Sequence, residues 1–150
     1  MMEAVKEAER AARMGEVPIG AVIVKDGEII GKGHNLVETE HNGTRHAEMI
    51  AIESATQKLG YSRLYGCEMY VTCEPCTMCA GSLVLSRISR VIIGTMDAKS
   101  GACGSVYNLL NERRLNHRVT VEYGIMEKEC RQLLVDFFKK IRIENRRNKG

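Results

Sequence analysis

The pairing of His46-Ala47-Glu48 with Pro75-Cys76-Thr77-Met78-Cys79 constrains this chain more than any other feature, because it supplies three metal ligands and one unligated acid. A Cys₂His set leaves the fourth tetrahedral position of a zinc ion open, which marks a catalytic rather than a structural site. Zinc brings the pKa of water in that position toward about 7, and a carboxylate two residues from a ligand is placed to move its protons. Residues two apart do not share one side of a helix. His46 and Glu48 therefore converge only beyond the N-terminal mouth of a helix that starts near Thr44. Pro75 suits a first helical turn, and Cys76 and Cys79 are neighbours at the start of a second helix. The fold must aim two helix N-termini at one metal, and their positive dipole ends favour thiolates there.

Parts of this set have other meanings when taken alone. His-x-Glu by itself is common, and Cys-x-x-Cys by itself also describes a redox pair. Cys73, Cys76 and Cys79 even open like an iron–sulfur run. That run needs a later Cys followed by Pro, but Leu83 stands at the corresponding position and Pro75 lies inside it. A redox pair leaves the upstream His and Glu unexplained.

The 150 residues suit one domain, 1–150, and 44% hydrophobic content can bury a core. No apolar run approaches the length of a membrane span, and the opening residues lack the pattern of a secretory leader. A cytoplasmic protein with no membrane partner is expected. Three of the six cysteines cluster and Cys67, Cys103 and Cys130 are scattered, which argues for a metal site plus buried thiols rather than a disulfide framework. A net charge of +3 is too mild to imply a nucleic-acid partner by itself.

The hydrophobic pattern alternates helix and strand. Residues 1–13 read as an amphipathic helix with Met1, Val5, Ala8 and Ala12 on its apolar face, stopped at Gly15. Strands are expected over 19–24 and 28–33 around an Asp26-Gly27 turn. The first metal-bearing helix spans 44–59 and ends at Gly60. Strands at 67–72 and 90–94 flank the helix 75–86 as a βαβ unit with a parallel pair. A short helix over 105–110, a strand over 119–123 and a final helix follow. Cys130, Leu133, Leu134, Phe137, Phe138 and Ile141 form one stripe of that helix, which predicts that both phenylalanines are core. The sum is an α/β fold of three layers, a mixed sheet with helices on both faces.

Nearly the whole chain resembles the bacterial-type tRNA-specific adenosine deaminases of the cytidine deaminase-like superfamily. The resemblance rests on Glu16-Val17-Pro18-Ile19-Gly20-Ala21, Asn35, His46-Ala47-Glu48, Glu74-Pro75-Cys76-Thr77-Met78-Cys79-Ala80-Gly81, Ser86-Arg87-Ile88, Asp97-Ala98-Lys99-Ser100-Gly101, Asn116-His117-Arg118 and Phe137-Phe138. The zinc motif belongs to the superfamily and the later segments to the tRNA branch. The resemblance implies a five-stranded sheet whose last two strands run parallel, a homodimer, and one zinc per chain held by His46, Cys76 and Cys79. It implies hydrolytic conversion of the wobble adenosine of an arginine tRNA anticodon to inosine, by zinc-bound hydroxide attacking adenine C6 with Glu48 as proton shuttle. Adenine C6 is hidden in a stacked strand, so the anticodon nucleotide must be flipped into a pocket.

Carried onto this sequence, the family's substrate-binding residues are Ile19, Asn35, Ala47, Asp97 and Lys99. Ile19 gives the ring an apolar face and Asn35 bonds the base edge. Asp97 and Lys99, in the small-residue loop 97–104, meet sugar and phosphate. Without the resemblance these positions read as sheet core, turn and polar loop. The end of the chain carries Lys139, Lys140, Arg142, Arg146, Arg147 and Lys149 against Glu144 alone, a patch suited to the phosphates of an anticodon stem-loop. Cys73 adds a third thiol near the metal, open to oxidation or mis-metallation. The main alternative is a zinc deaminase of free nucleosides or bases, cytidine or guanine, which has no need of the basic end or of loop 97–104. An RNA-binding protein without catalysis would have lost its shuttle acid, and Glu48 is present.

Overall fold

The computed structural model describes residues 1–150. The elements in chain order are α1 (Met2–Arg13), β1 (Gly20–Lys25), β2 (Glu28–His34), α2 (Ala47–Leu59), β3 (Cys67–Cys73), α3 (Thr77–Leu85), β4 (Arg90–Thr95), β5 (Thr120–Tyr123) and α4 (Glu127–Arg147). A single 3₁₀ turn, Leu109–Asn111, precedes β5. The strands form one mixed sheet in the order β2-β1-β3-β4-β5. β1 pairs antiparallel with both β2 and β3, while β3, β4 and β5 run parallel. Asp26 and Gly27 both take positive φ, 50° and 77°, which closes the β1–β2 hairpin as the Asp-Gly pair predicts.

The pleat decides which helix covers which face. Ala21 and Ile23 of β1 and Gly31 and Gly33 of β2 sit in register on one face. There α2 lies directly on the glycines. A side chain built at Gly33 would stand 2.3 Å from the Ala47 carbonyl, and one at Gly31 would stand 2.5 Å from that of Ala51. The helix answers with Ala47, Ala51 and Ala55, all fully buried. The main core fills the space between this face and α2 and α3, with Met69, Val71, Leu83, Ile88, Val91 and Ile93 at its centre. On the opposite face, α1 rests on Gly20 and α4 on Gly94.

Several expectations shift. The buried face of α1 is Ala4, Ala8 and Ala11 with Glu7, rotated from the stripe read in the sequence, because small residues let the helix approach Gly20. Helix α2 begins at Ala47 rather than Thr44. Asn42 holds the preceding residues in turns, its Oδ1 accepting from the Thr44 N–H (2.9 Å) and its carbonyl from Arg45 (3.1 Å). No α-helix forms over 105–110 and helical turn is confined to the 3₁₀ turn from Leu109, since the Ser105 N–H goes to the Glu74 carboxylate (3.1 Å) and Gly104, at φ 137°, donates to the Tyr107 carbonyl (2.7 Å).

The phenylalanines of α4 are also not core. Phe138 is 43% exposed, Phe137 is half-buried, and of the stripe only Cys130 is fully buried. A 21-residue helix is about 31 Å long, whereas the six residues of β4 extend about 20 Å. The second half of α4 therefore outruns the sheet. Its rings pack edge to face at 5.4 Å and remain available at the surface.

The glycine–alanine contact predicts a specific sensitivity. Gly33→Ala overpacks the α2–β2 junction and lowers unfolding free energy by about 1–3 kcal/mol in urea titration. Gly43→Ala, where an added methyl meets nothing within 4 Å, changes it by no more than about 0.5 kcal/mol.

Candidate metal centre and substrate cleft

The two helices that cover the core bring their N-termini together. His46 is the N-cap of α2 and Cys76 the N-cap of α3, both in extended conformation and neither bonding its own helix through its side chain. Both side chains are thus free to point past the helix mouths. Pro75 lies one residue before the cap rather than in the first turn, and Cys79 sits in that turn on the same side as Cys76. His46 Nδ1 lies 3.6 Å from Cys76 Sγ and 3.5 Å from Cys79 Sγ, and the three donor atoms lie within 4.8 Å of one another.

These distances fit zinc. With metal–sulfur near 2.3 Å and metal–nitrogen near 2.0–2.1 Å, the edge of a tetrahedron between sulfur and nitrogen is about 3.5 Å. The protonation pattern fits as well. The Cys76 thiol is drawn down to about 4, first by a hydrogen bond from Cys79 and then, against burial, by His46. Cys79 is driven up by the same bond and by burial. The two shifts favour a thiolate at Cys76, the metal-binding form. His46 is raised mainly by its bond to Cys76.

Glu48 stands apart from the ligand set. It is 4% exposed at the start of α2. Burial pushes its carboxyl up, while Cys79 and His46 pull it down. A buried carboxyl whose neutral form is stabilised can carry a proton in either direction. Cys73, the extra thiol, is outside the cluster, and burial holds it in the protonated form. All six cysteines are free, and Cys67, Cys103 and Cys130 are buried.

The structure links three of the substrate residues in series. The Asn35 N–H donates to the Ile19 carbonyl (3.2 Å), and Asn35 Oδ1 accepts from the Ala47 N–H (3.2 Å). Ile19 also lines a cleft of about 560 Å³ with Val17, Cys73, Asp97, Lys99 and, from α4, Phe138 and Arg142. Residues named separately from the sequence, Ile19, Asp97 and Lys99, thus meet at one opening, whereas Asn35 and Ala47 sit at the α2 mouth beside the metal ligands. A second cleft of similar volume beside β5, lined by Cys103, Arg118 and Tyr123 among others, holds none of them. Asp97 braces its own loop, Oδ1 accepting from Lys99 N (2.9 Å) and Ser100 N (3.3 Å) and Oδ2 from the Ser100 hydroxyl (2.6 Å). These bonds hold its carboxyl below the usual range against the effect of burial.

Two buried acids have no role in the sequence reading beyond their place in quoted motifs. Glu16, 1% exposed, accepts from the backbone N–H of Glu38 (2.6 Å) and Thr39 (3.2 Å) and so holds the segment between Asn35 and His46. Glu74, 4% exposed, does the same for the loop that carries Asp97 and Lys99. The available signal was an acid one or two residues before a proline, Glu74 before Pro75 and Glu16 before Pro18, a position that requires donors if it is buried.

Comparison with known proteins agrees with this geometry. The profile of the MafB19-like deaminases matches residues 1–142. The tRNA-specific adenosine deaminase of Bacillus subtilis (strain 168) is 51% identical over 142 residues, 95% of this chain and 88% of the relative. That of Aquifex aeolicus (strain VF5) is 55% identical over 139 residues, 93% and 91% of the two chains. This chain belongs to the tRNA-specific adenosine deaminase family. A solved structure from a study of tRNA:A34 deaminases superposes with a TM-score of 0.86 at 40% identity, covering 89% of this chain and 97% of that one. A guanine deaminase from Bacillus subtilis superposes with a TM-score of 0.63 at 33% identity over 79% of each chain. The deaminase family therefore shares the five-stranded mixed sheet, and no helix here is long and apolar enough to cross a membrane.

The ligand geometry predicts about one zinc per chain, measured by elemental analysis of purified protein. His46→Ala and Cys76→Ala lose it, and an iron–sulfur absorption band or active metal-free protein contradicts the assignment.

Proposed function

We propose that this chain deaminates adenosine to inosine at the wobble position of a tRNA anticodon, an arginine tRNA as the resemblance implies. The observation that carries this reading is the convergence of Ile19, Asp97, Lys99 and Arg142 on one cleft that Cys73, three residues before the cluster ligand Cys76, also lines. Relatives more than 50% identical carry the name tRNA-specific adenosine deaminase. Bound zinc would supply an acidified water at neutral pH.

The chain's own residues do the rest. Glu48 takes a proton at its carboxylate, delivers it to the ring nitrogen beside adenine C6, and then assists the departure of ammonia. Ile19 offers the flipped base an apolar face. Asn35, its carbonyl fixed on Ala47, keeps its amide donors for the base edge. Lys99 and Arg142 are placed for phosphate. Asp97 Oδ2 accepts one donor in its loop and retains a lone pair for a ribose hydroxyl, a contact that a deoxyribose copy of the stem-loop would lack. A cytoplasmic homodimer completes the reading; exposed Leu85, Tyr61 and Tyr65 leave apolar surface for a second copy, and sedimentation measures its presence.

The test is ammonia release from an anticodon stem-loop and, separately, from free adenosine, cytidine and guanine. Release from a free base and none from the stem-loop overturns the reading in favour of base metabolism. Glu48→Ala keeps about one zinc per chain and lowers stem-loop turnover by about 10²–10⁴-fold, the loss typical of acid–base catalysis. Loss of zinc in that variant makes Glu48 a ligand instead. For the RNA surface, Lys99→Ala and Arg142→Ala each flatten the salt dependence of stem-loop binding by about one unit of log–log slope. An unchanged slope removes that residue from the interface.

A further inference from the structure

Every hydrogen bond to the carboxylate of one buried acid outside the metal centre comes from a single loop. Glu74 Oε1 accepts from the Asp97 N–H (2.9 Å) and the Ser105 hydroxyl, and Oε2 from the N–H groups of Cys103 (3.0 Å) and Ser105 (3.1 Å). No cation pairs with it, so backbone and hydroxyl dipoles alone solvate the carboxylate. The loop is shaped around it. A methyl at Gly101 would lie 2.2–2.4 Å from all three atoms of the carboxyl group, a contact that only glycine avoids. Glu74 is also directly continuous with Pro75 and Cys76. The Pro75 carbonyl accepts from the Ala102 N–H (2.9 Å), and the Glu74 N–H donates to Thr95 on β4 (2.9 Å).

We propose that Glu74 is a positioning residue for the deamination. Its carboxylate locks the segment from Asp97 to Ser105 against the entrance of the helix that bears Cys76 and Cys79. This fixes the distance between the RNA-facing side chains of the cleft and the reacting base. The proposal rests on the reading of the cleft as the RNA site. Loop and metal helix then move as one body, and RNA held by Asp97 and Lys99 presents adenine C6 to Glu48 in a set register. Glutamine cannot replace this acid. Its amide nitrogen, placed at Oε1, orphans the Asp97 N–H; placed at Oε2, it orphans those of Cys103 and Ser105.

The experiment uses the zinc-loaded full chain with Glu74→Gln, Gly101→Ala and the double variant. Zinc per chain, amide hydrogen exchange by mass spectrometry, and kcat and KM on the stem-loop are measured. Both single variants should keep their zinc. Exchange of the 97–105 segment should accelerate by about tenfold or more, equivalent to one lost buried hydrogen bond, while β1 is unchanged. KM should rise more than kcat falls, and kcat/KM should drop about 10–100-fold, as a misplacement near 1 Å produces. The double variant should be no worse than the poorer single, because both changes break one contact. Wild-type protein inactive on the stem-loop overturns the functional reading before any variant is made. With active wild type, unchanged exchange, additive losses or lost zinc in Glu74→Gln overturns the role of Glu74 alone. Should Glu74→Gln fail to fold, Gly101→Ala carries the same exchange and kinetic comparison with Glu74 intact.

Discussion

The structure depends on how closely α2 can lie on the sheet. A helix that offers a metal-binding side chain at its N-cap must place that cap to within a fraction of an ångström. Here the separation of helix and sheet is set by backbone meeting backbone, Ala47 and Ala51 over Gly33 and Gly31. Contacts of this kind have no rotamers to relax, so they hold the mouth of α2 more firmly than interdigitated large side chains would. With α2 fixed and α3 packed beside it on the same core, His46 and the two cysteines meet at the distances a tetrahedral zinc requires.

Three of the four buried carboxylates show how environment differentiates one chemical group. Glu16 and Glu74 are surrounded by donors, and each organises a loop that flanks the site. Glu48 has almost none, and burial raises its carboxyl toward the neutral form. Glu16 and Glu74 thus brace loops, and Glu48 is left free of such bracing. The same contrast separates the cysteines: Cys76 is drawn toward thiolate by its neighbours, and buried Cys73, three residues earlier, is held as a thiol.

The cleft draws on distant parts of the chain: the segment before β1, the end of β3, the loop after β4, and the outer half of α4. That α4 outruns the sheet is what makes Phe138 and Arg142 available there. An amphipathic stripe records that a helix has an apolar side. It does not record whether the partner surface extends along the whole helix, and for this reason the phenylalanines read as core.

The sequence by itself determined which His and Cys residues the fold would gather into one cluster, the sheet and its parallel half, because His-x-Glu, Pro-Cys-x-x-Cys and the strand and helix periods are local patterns with local causes. The resemblance carried by those motifs extended this to the family. Only the tertiary structure decided where α2 begins, which face of α1 is buried, that residues 105–108 form a loop, and what Glu16 and Glu74 do. Each of these depends on a partner distant in the chain: Gly20 beneath α1, the backbone of residues 38 and 39 around Glu16, and loop 97–105 around Glu74. A buried acid is visible in sequence as an anomaly, but its meaning lies in the donors that folding brings to it.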